Sequence, residues 1–333
     1  MILAGDIGGT KSLLALFAPG SPSAPLGTGP RAAQQEESLP SRDFPGLEAV
    51  VKDYLGRRRE KVTLACLGVP GPVIDARCVT PNIPWKVDAR ELGRVVGAEV
   101  ILLNDLEAMG YGLAALGADD FATLNEGRPR PGNAALIAPG TGLGEAILFW
   151  DGRRHRPSAS EGGHASFAPQ NELEIALLEH LRKQHEHVSN DRIVSGSGLK
   201  RVYDFLKESR QGPEPEWLRL EVAAAEDPAA VISRVALEGK AELCVKALDL
   251  WVSVLGAEAG NLALKALAVA GVYLGGGIAP KILPKLKDKT FLAAFQRKGR
   301  LSDVVREMPV RVILNPKVAL YGAARFALER AHV

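Results

Sequence analysis

The chain begins with MILAGDIGGTKSLLALF (residues 1–17), in which two apolar runs, 2–7 and 12–17, are joined by Gly8-Gly9-Thr10-Lys11. Two short apolar runs separated by a glycine-rich connection are typical of a β-hairpin. The paired glycines suit the unusual backbone angles of a tight turn. We therefore predict that the fold starts with a β-sheet.

Strand-like and helix-like segments alternate after this hairpin. Residues 18–45 are rich in Pro, Gly and Ser, which predicts loops around one edge strand. The apolar periodicity then predicts strands at 61–69, 77–79 and 99–103, and helices at 44–54, 87–96 and 105–116. This alternation predicts an α/β protein with a mainly parallel or mixed sheet.

A second sheet is predicted to begin near Phe121. Two apolar runs, 134–138 and 145–150, flank another glycine-rich turn, PGTGLG at 139–144. The repeated pattern of strand, Gly-Thr turn and strand indicates two related halves, each offering one turn to a shared cleft. Helices dominate from residue 173. The later elements are a long helix at 241–268, strands at 272–274 and 310–314, and a closing helix at 319–331.

Composition limits the class of protein. With 333 residues, 46% of them hydrophobic and 24% charged, the chain can bury a full-sized core in two domains or one large one. Lys and Arg number 41 against 39 Asp and Glu, a formal charge of +2. We therefore expect no binding to nucleic acid or to an anionic membrane surface.

Cysteine content and hydropathy indicate the compartment. Three cysteines, Cys66, Cys78 and Cys244, are widely spaced and form no C-x-x-C pair, which argues against a disulfide scaffold and a zinc cluster. No apolar stretch reaches 18 residues, and the N-terminal sequence lacks the pattern of a signal peptide. A cytoplasmic location is expected.

The two glycine-rich turns are candidate phosphate sites. Backbone N–H groups of such a turn can point together at phosphate oxygens. Asp6, just before the first turn, suits a Mg²⁺ ion held through water, since Mg²⁺ needs only one or two carboxylates. The alternative is an ordinary hairpin turn beside a surface Asp. The second turn matches neither the Walker nor the dinucleotide fingerprint.

Asn104 and Asp105 follow an apolar strand where a helix begins, a position at which ligands gather in α/β sheets. Either residue could be a helix N-cap. Asp105 could instead be a general base for a hydroxyl group, provided that it lies within hydrogen-bond reach.

Glu161-Gly162-Gly163-His164 places an acid and an imidazole around a flexible glycine pair, a spacing that can hold one polyol. A solvated loop with a structural His is the alternative, and no neighbouring residues complete a zinc site. Asp191 could add a hydrogen-bond acceptor or cap the next helix. Gly275-Gly276-Gly277 follows a strand and would let a flat ring or a ribose approach the backbone.

Taken in order, these motifs resemble those of bacterial glucokinases over nearly the whole chain. The matching segments are 6–11 (DIGGTK), 104–105 (ND), 140–144 (GTGLG), 161–164 (EGGH), 192–199 (RIVSGSGL) and 275–280 (GGGIAP). The resemblance implies the fold shared by hexokinases, actin and the 70-kDa chaperones, an actin-like ATPase (ribonuclease H-like) fold with a ligand cleft between a small and a large α/β domain. The small domain would comprise 1–115 and 316–333, and the large domain 116–315.

The resemblance also implies roles for individual residues. Asp105 would be the general base that deprotonates the 6-hydroxyl of D-glucose, with Asn104, Glu161 and His164 on the other hydroxyls. ATP would be bound with Mg²⁺, and Asp6 would lie near the metal. The residues expected against the phosphates are Gly8, Gly9, Thr10, Lys11, Gly140, Thr141 and Gly142, and those expected near the adenosine are Gly276 and Gly277.

Two segments carry a less direct expectation. The family commonly has Glu where this chain has Asp191, so a sugar contact there would be lost, mediated by water or recovered by a backbone shift. Residues 81–85 (PNIPW) are similar to a family segment close to the sugar, although their role could be packing alone.

The resemblance leaves alternatives to a glucokinase. A related repressor and sugar-kinase group carries a cysteine-rich zinc motif after Glu-Gly-x-His, and this chain has no cysteine between Cys78 and Cys244, which favours the zinc-free branch. A kinase for another hexose or a hexosamine remains open, as does a non-catalytic sugar sensor or an actin-like ATPase. Asp105, Glu161 and His164 speak against the last two. A homodimer is common in the family and is expected here.

Overall fold

The computed structural model describes residues 1–18, 33–80 and 83–331. These residues form two compact units. The first unit comprises Met1–Phe121, Arg153–Ser160 and Asn315–Val333, and the second comprises Ala122–Gly152 and Glu161–Leu314. The domain division at 1–115 plus 316–333 and 116–315 stays a prediction.

The strands and helices are numbered here in chain order. The strands are β1 (Ile2–Ile7), β2 (Lys11–Phe17), β3 (Gln34–Pro40), β4 (Leu64–Val69), β5 (Val73–Ile74), β6 (Arg77–Val79), β7 (Lys86–Asp88), β8 (Glu99–Asn104), β9 (Phe121–Asn125), β10 (Ala134–Pro139), β11 (Leu143–Trp150), β12 (His155–Ser160), β13 (Gly271–Leu274) and β14 (Val310–Ile313). The helices are α1 (Leu47–Gly56), α2 (Ala89–Val96), α3 (Asp105–Gly112), α4 (Glu172–Arg182), α5 (Gly196–Glu208), α6 (Glu216–Ala224), α7 (Pro228–Leu237), α8 (Glu242–Ala266), α9 (Leu283–Leu286), α10 (Lys289–Gln296), α11 (Ser302–Arg306) and α12 (Val318–Ala331).

The first unit is built on a mixed sheet with the strand order β3-β2-β1-β4-β8. Strands β1 and β2 form an antiparallel hairpin, whereas β1, β4 and β8 run parallel. Every residue of β4 is buried, as expected for a central strand that is covered on both faces. Asp6 is opposite Gly68, and Asn104 is opposite Val69. Asp6 and Asn104 therefore lie at the same carboxyl edge of this sheet.

Helices α3 and α12 pack closely in the first unit. A Cβ built on Gly322 of α12 would lie 1.7 Å from the carbonyl oxygen of Ala108 on α3, so only glycine permits this approach. Helix α12 also contacts β1 and β4. Because α3 begins directly after β8, this packing fixes the start of α3 at the carboxyl edge of the sheet.

In the second unit the strands follow the order β11-β10-β13-β14-β9. Strands β10 and β11 form an antiparallel hairpin, and β13 and β14 continue the sheet in parallel with β10. Helix α8 has 25 residues, most of them buried, and packs against α5, α7 and α10. Apolar residues on all sides of this helix explain its position in the core.

Both predicted hairpins are confirmed, and some boundaries differ. Strand β11 begins at Leu143 rather than at residue 145, so the second turn is confined to residues 140–142. The helix predicted at 105–116 ends at Gly112 and continues as the 3-10 turn Leu113–Ala115. Residues 87 and 88 were expected in a helix but belong to strand β7, because the Asp88 side chain accepts the Arg90 amide and caps α2.

The edge strand expected within 18–45 is β3, at the edge of the first sheet, while residues 19–32 lie outside the described part of the chain. Strand β12 was not predicted, because its sequence HRPSAS lacks apolar alternation. Within residues 1–18, 33–80 and 83–331, no helix combines the length and apolarity needed to cross a membrane.

Candidate active site

The first turn, residues 8–11, is held by two buried serines. The Gly8 amide donates to the Lys11 carbonyl at 3.0 Å and closes the turn. The Ser41 hydroxyl donates to the Gly8 carbonyl at 2.6 Å, and the Ser41 amide donates to the Thr10 carbonyl at 3.0 Å. Ser12 and Ser41 share a hydrogen bond of 2.9 Å, and both are fully buried. Their contacts fix the backbone of the first turn.

Sequence reasoning missed Ser41. It follows an edge strand, about thirty residues after the turn that it supports, and no motif includes it. Its role depends on the pairing of β2 with β3, which sets Ser12 opposite Leu39 and Lys11 opposite Pro40.

Asp6 lies on β1, next to the first turn. Burial raises the pKa of its carboxyl group to about 6, while the positive charge of Lys11 lowers it. Asp6 thus places one carboxyl group beside the first turn, and Mg²⁺ is commonly bound through one or two carboxylates.

Of the two residues that could cap α3, Asn104 is the N-cap. Its Oδ1 atom accepts the amides of Leu106 at 3.0 Å and Glu107 at 3.4 Å, and its Nδ2 group donates to the Gly71 carbonyl at 3.1 Å. The Glu107 carboxylate accepts the Asn104 amide at 3.4 Å, which completes a capping box. One Nδ2 hydrogen of Asn104 remains beyond these contacts.

Asp105 is the first residue of α3 and is partly exposed. Its Oδ1 atom accepts the Leu106 amide at 2.9 Å. The positive end of the helix dipole favours a carboxylate in this first turn. The capping box and the packing of α3 thus hold the Asp105 carboxylate, a hydrogen-bond acceptor, at the carboxyl edge of the first sheet.

The second turn, residues 140–142, is tied to the segment before α5. The Gly140 amide donates to the Gly142 carbonyl at 2.8 Å, and the Gly196 amide donates to the Gly140 carbonyl at 3.0 Å. Asp191, in the 3-10 turn Asn190–Arg192, accepts the Leu143 amide on Oδ1 at 2.8 Å. Asp191 does not cap α5, since Ser195 does so through the Gly198 amide.

Glu161 precedes the 3-10 turn Gly162–His164, whose last residue is His164 and which packs against the start of β11. A Cβ on Gly163 would lie 2.0 Å from the Leu143 carbonyl oxygen, so only glycine fits there. The Glu161 and His164 side chains are 55% and 61% exposed, and their nearest charged atoms are 3.9 Å apart. Both side chains are accessible to a ligand.

Backbone hydrogen bonds connect this segment to Asp191. The Asn190 amide donates to the Ala165 carbonyl at 3.0 Å, and the Phe167 amide donates to the Val188 carbonyl at 2.9 Å. Hydrogen bonds and close packing therefore join three segments of the second unit. These are the segments around Leu143, Asp191 and Glu161.

Residues 275–277 lie against the end of β10. The Gly275 amide donates to the Ile137 carbonyl at 2.9 Å. Gly276 has a φ of +77°, and a Cβ there would lie 2.4 Å from the Pro139 carbonyl oxygen. A Cβ on Gly277 would face open space. This loop therefore leaves bare backbone next to the second turn.

Behind the second turn lies a buried acid that the sequence did not indicate. Glu145 on β11 is 1% exposed, and its Oε1 atom has no hydrogen-bond partner among the described residues. Burial and the nearby charge of Glu258 raise the pKa of Glu145 to about 7, and Lys265 lowers it.

Each unit thus brings predicted residues together. In the first unit these are Asp6, Gly8, Gly9, Thr10, Lys11, Asn104 and Asp105, and in the second they are Gly140, Thr141, Gly142, Glu161, His164, Asp191, Gly276 and Gly277. Of the segment 81–85, residues 81 and 82 lie outside the described residues. Ile83 and Trp85 are buried in the core of the first unit, which fits a packing role.

Solved structures identify the class. The structure is similar to the crystal structure of a glucokinase from an Antarctic psychrotroph, which is 29% identical with a TM-score of 0.82, and the match covers 98% of each chain. It is also similar to a ROK family glucokinase from Streptomyces griseus in complex with glucose and AMPPNP, at 20% identity and a TM-score of 0.65, covering 98% of this chain and 99% of that one. The fold is therefore the actin-like ATPase fold of sugar kinases.

Sequence comparisons identify the family within that class. The glucokinase family model matches residues 3–330. A glucokinase from Nostoc sp. (strain PCC 7120 / SAG 25.82 / UTEX 2576) is 40% identical over 340 residues, which covers 97% of this chain and 98% of the relative. The chain belongs to the glucokinase family.

Proposed function

We propose that the protein is an ATP-dependent glucokinase that phosphorylates D-glucose on O6. The observation that carries this proposal is the Asp105 carboxylate, held as the first residue of α3 at the carboxyl edge of a sheet, in a member of the glucokinase family. The similar enzyme from Streptomyces griseus was crystallised with glucose and AMPPNP, which supports this pair of substrates.

Asp105 acts as the general base. Its carboxylate takes the proton from the 6-hydroxyl as O6 attacks the γ-phosphorus. The new O6–P bond forms, the bond from phosphorus to the β–γ bridging oxygen breaks, and ADP leaves with the electron pair. The position of Asp105 supports this role, since the residue is only partly buried and its carboxylate is oriented by the Leu106 amide at 2.9 Å.

Glu161 and His164 bind the other sugar hydroxyls, because both side chains are exposed and carry complementary acceptors and donors. Asn104 contributes its remaining Nδ2 hydrogen. Since capping fixes the Asn104 side chain before any ligand binds, this donor needs little ordering on binding.

The two glycine turns bind the phosphates. The amides of Gly8 and Gly140 are donated within their own turns, so phosphate contacts come from the later residues. These are Gly9, Thr10 and Lys11 in the first turn and Thr141 and Gly142 in the second. Gly276 and Gly277 lie along the adenosine, where the lack of side chains lets a ring or ribose approach the backbone.

Asp6 is the residue that would hold Mg²⁺. Among the described residues, no cluster of three or more His, Cys, Asp or Glu could form a protein-only metal site. One buried carboxylate nevertheless fits Mg²⁺, which takes most of its ligands from water and nucleotide phosphates. When bound, the ion neutralises phosphate charge.

A coupled ADP-release assay tests the proposal on the wild type and on Asp105→Asn, with glucose, mannose, fructose, N-acetylglucosamine and a no-sugar control. We expect glucose-dependent turnover that falls by about two to four orders of magnitude in the variant, because the base is lost. Asp119→Asn, an exposed acid in the same unit, is the matched control and should keep normal turnover.

Each of the other outcomes would indicate a different function. ADP release without sugar would indicate an ATPase, and no release with any sugar would indicate a sensor. Preference for another sugar would indicate a different hexose or hexosamine kinase. Near-normal kcat in Asp105→Asn would contradict the role of Asp105 as base.

A further inference from the structure

The Asp191 carboxylate makes a direct contact with the second turn. Its Oδ1 atom accepts the Leu143 amide at 2.8 Å, and a Cβ built on Gly142 would lie 2.7 Å from the same oxygen. Leu143 and Asp191 are 48 residues apart in the sequence. The Asp191 carboxylate thus packs against Gly142, the last residue of the turn, and accepts a hydrogen bond from Leu143, the next residue.

Asp191 is itself anchored to the core of the second unit. The Ser195 hydroxyl donates to the Asp191 carbonyl at 2.8 Å and accepts the Gly198 amide at 3.1 Å. The Trp251 indole N–H, on the buried helix α8, donates to the Ser195 carbonyl at 3.1 Å. Because an Asp side chain has a single methylene, its carboxylate has little freedom once this backbone is fixed.

We propose that Asp191 is a positioning residue for the second turn, acting on the nucleotide rather than as a sugar ligand. This inference rests on the proposed function, in which Thr141 and Gly142 contact the phosphates. The Asp191 carboxylate holds the peptide after Gly142, and the Gly196 amide holds the carbonyl of Gly140 at 3.0 Å. Both ends of the turn are therefore fixed before the nucleotide binds.

The structure explains why this position holds Asp. A Glu carboxylate would reach one methylene further than the present contact with the Leu143 amide allows. A longer side chain at this position could accept the Leu143 amide at 2.8 Å only if the 3-10 turn Asn190–Arg192 shifted. In this chain, the short side chain places the acceptor on the turn.

The first test measures steady-state kinetics and calorimetric binding of Mg-AMPPNP and of glucose for Asp191→Ala and Asp191→Asn. Losing a hydrogen bond to a charged group should weaken Mg-AMPPNP binding and raise the KM for Mg-ATP about tenfold in Asp191→Ala. The KM for glucose should stay within about twofold. Asp191→Asn keeps an oxygen acceptor for the Leu143 amide and should recover most of the loss.

A double-mutant cycle with Gly142→Ala tests the contact itself. The added methyl group would displace the Asp191 carboxylate, so Gly142→Ala should weaken Mg-AMPPNP binding severalfold in the wild type. In the Asp191→Ala background the methyl group has room, and its further effect should be less than about twofold. Asp303→Ala, a surface acid whose side chain is 91% exposed, is the control and should change neither constant.

Contrary outcomes are clear. A rise in the glucose KM alone in Asp191→Ala, or purely additive effects of Gly142→Ala and Asp191→Ala, would overturn the positioning role. If the wild type binds Mg-AMPPNP but shows no glucose-dependent turnover, the proposed function fails while the cycle still reports on Asp191. If the wild type binds no nucleotide, both fail.

Discussion

The two glycine hairpins look alike in sequence but are supported in different ways. The first turn is held by the neutral hydroxyls of Ser12 and Ser41, which are both fully buried. Ser12 lies on β2, and Ser41 directly follows the neighbouring strand β3. The second turn is held by the charged carboxylate of Asp191 and by the Gly196 amide. The first support is uncharged, whereas the second is charged and comes from a segment that is also bonded to residues next to Glu161 and His164.

This difference means that the second turn is coupled to the segment that carries Glu161 and His164. The Leu143 amide donates to the Asp191 carboxylate, and the Leu143 carbonyl packs against Gly163. The residue that follows the second turn therefore also contacts the segment that carries Glu161 and His164. A shift in one of these segments must be accommodated by the other, because protein interiors are closely packed. The first turn has no such neighbour among the contacts described above.

Disrupting the packing of Gly163 against Leu143 should have the largest effect on stability and activity. Gly163→Ala places a methyl group 2.0 Å from the Leu143 carbonyl oxygen, which forces the backbone apart and should lower the free energy of unfolding by about 3 kcal/mol. The KM values for glucose and for Mg-ATP should rise together. Chemical denaturation and steady-state kinetics measure both effects.

The control for Gly163→Ala is Gly56→Ala, at the end of α1, where a Cβ meets nothing within 4 Å. That variant should be at least as stable as the wild type, since alanine favours the helix. A rise in only one of the two KM values in Gly163→Ala would show that the segments move independently.

The buried acid behind the second turn should make stability depend on pH. Burial raises the pKa of Glu145 to about 7, whereas a glutamate exposed in the unfolded chain has its ordinary pKa of 4.5. Between these values the folded state holds a proton that the unfolded state has released, so stability falls as pH rises. From about pH 5 to about pH 8 this group should remove about 2 kcal/mol.

Glu145→Gln removes this titration. Denaturation of both proteins at the two pH values should show that the variant loses less stability than the wild type as pH rises, with the difference concentrated below about pH 7. Equal slopes for the two proteins would mean that Glu145 titrates normally.

The smallest effect is expected at the first turn. Ser41→Ala removes the hydrogen bonds to the Gly8 carbonyl and to Ser12, which should lower the free energy of unfolding by about 1 kcal/mol. The KM for Mg-ATP should rise severalfold while the KM for glucose stays constant, because the Ser41 hydroxyl contacts only the first turn and Ser12 among the hydrogen bonds described. Ser38→Ala, at an exposed position of the neighbouring strand, should leave both unchanged. A parallel rise in the glucose KM would contradict the local role of Ser41.

Local patterns made the hairpins predictable. The runs at 2–7 and 134–138 are apolar and short, and the glycines between paired strands mark the turns, so strand and turn follow from neighbouring residues. Residues such as Ser41 and the contact from Asp191 to Leu143 were not predictable, since they depend on how distant segments pack. The Asn104 cap was foreseen as an alternative, and the structure was needed to choose it.

The actin-like ATPase fold, by contrast, was predicted from resemblance rather than from periodicity. Each motif is short and weak alone, and their order along the chain carried the inference. Strand β12 shows the limit of pattern reading, because five of its six residues are at least partly exposed and the remaining one is a buried proline.

The indole of Trp251 gives the molecule an internal optical reporter. It is 1% exposed and bonded to the carbonyl of Ser195, whose hydroxyl holds Asp191. Its fluorescence emission therefore depends on the packing around Ser195 and Asp191, which support the second turn. The chain has four tryptophans, and replacing Trp85, Trp150 and Trp217 by Phe would leave Trp251 as the sole emitter. Fluorescence would then follow this part of the second unit in real time.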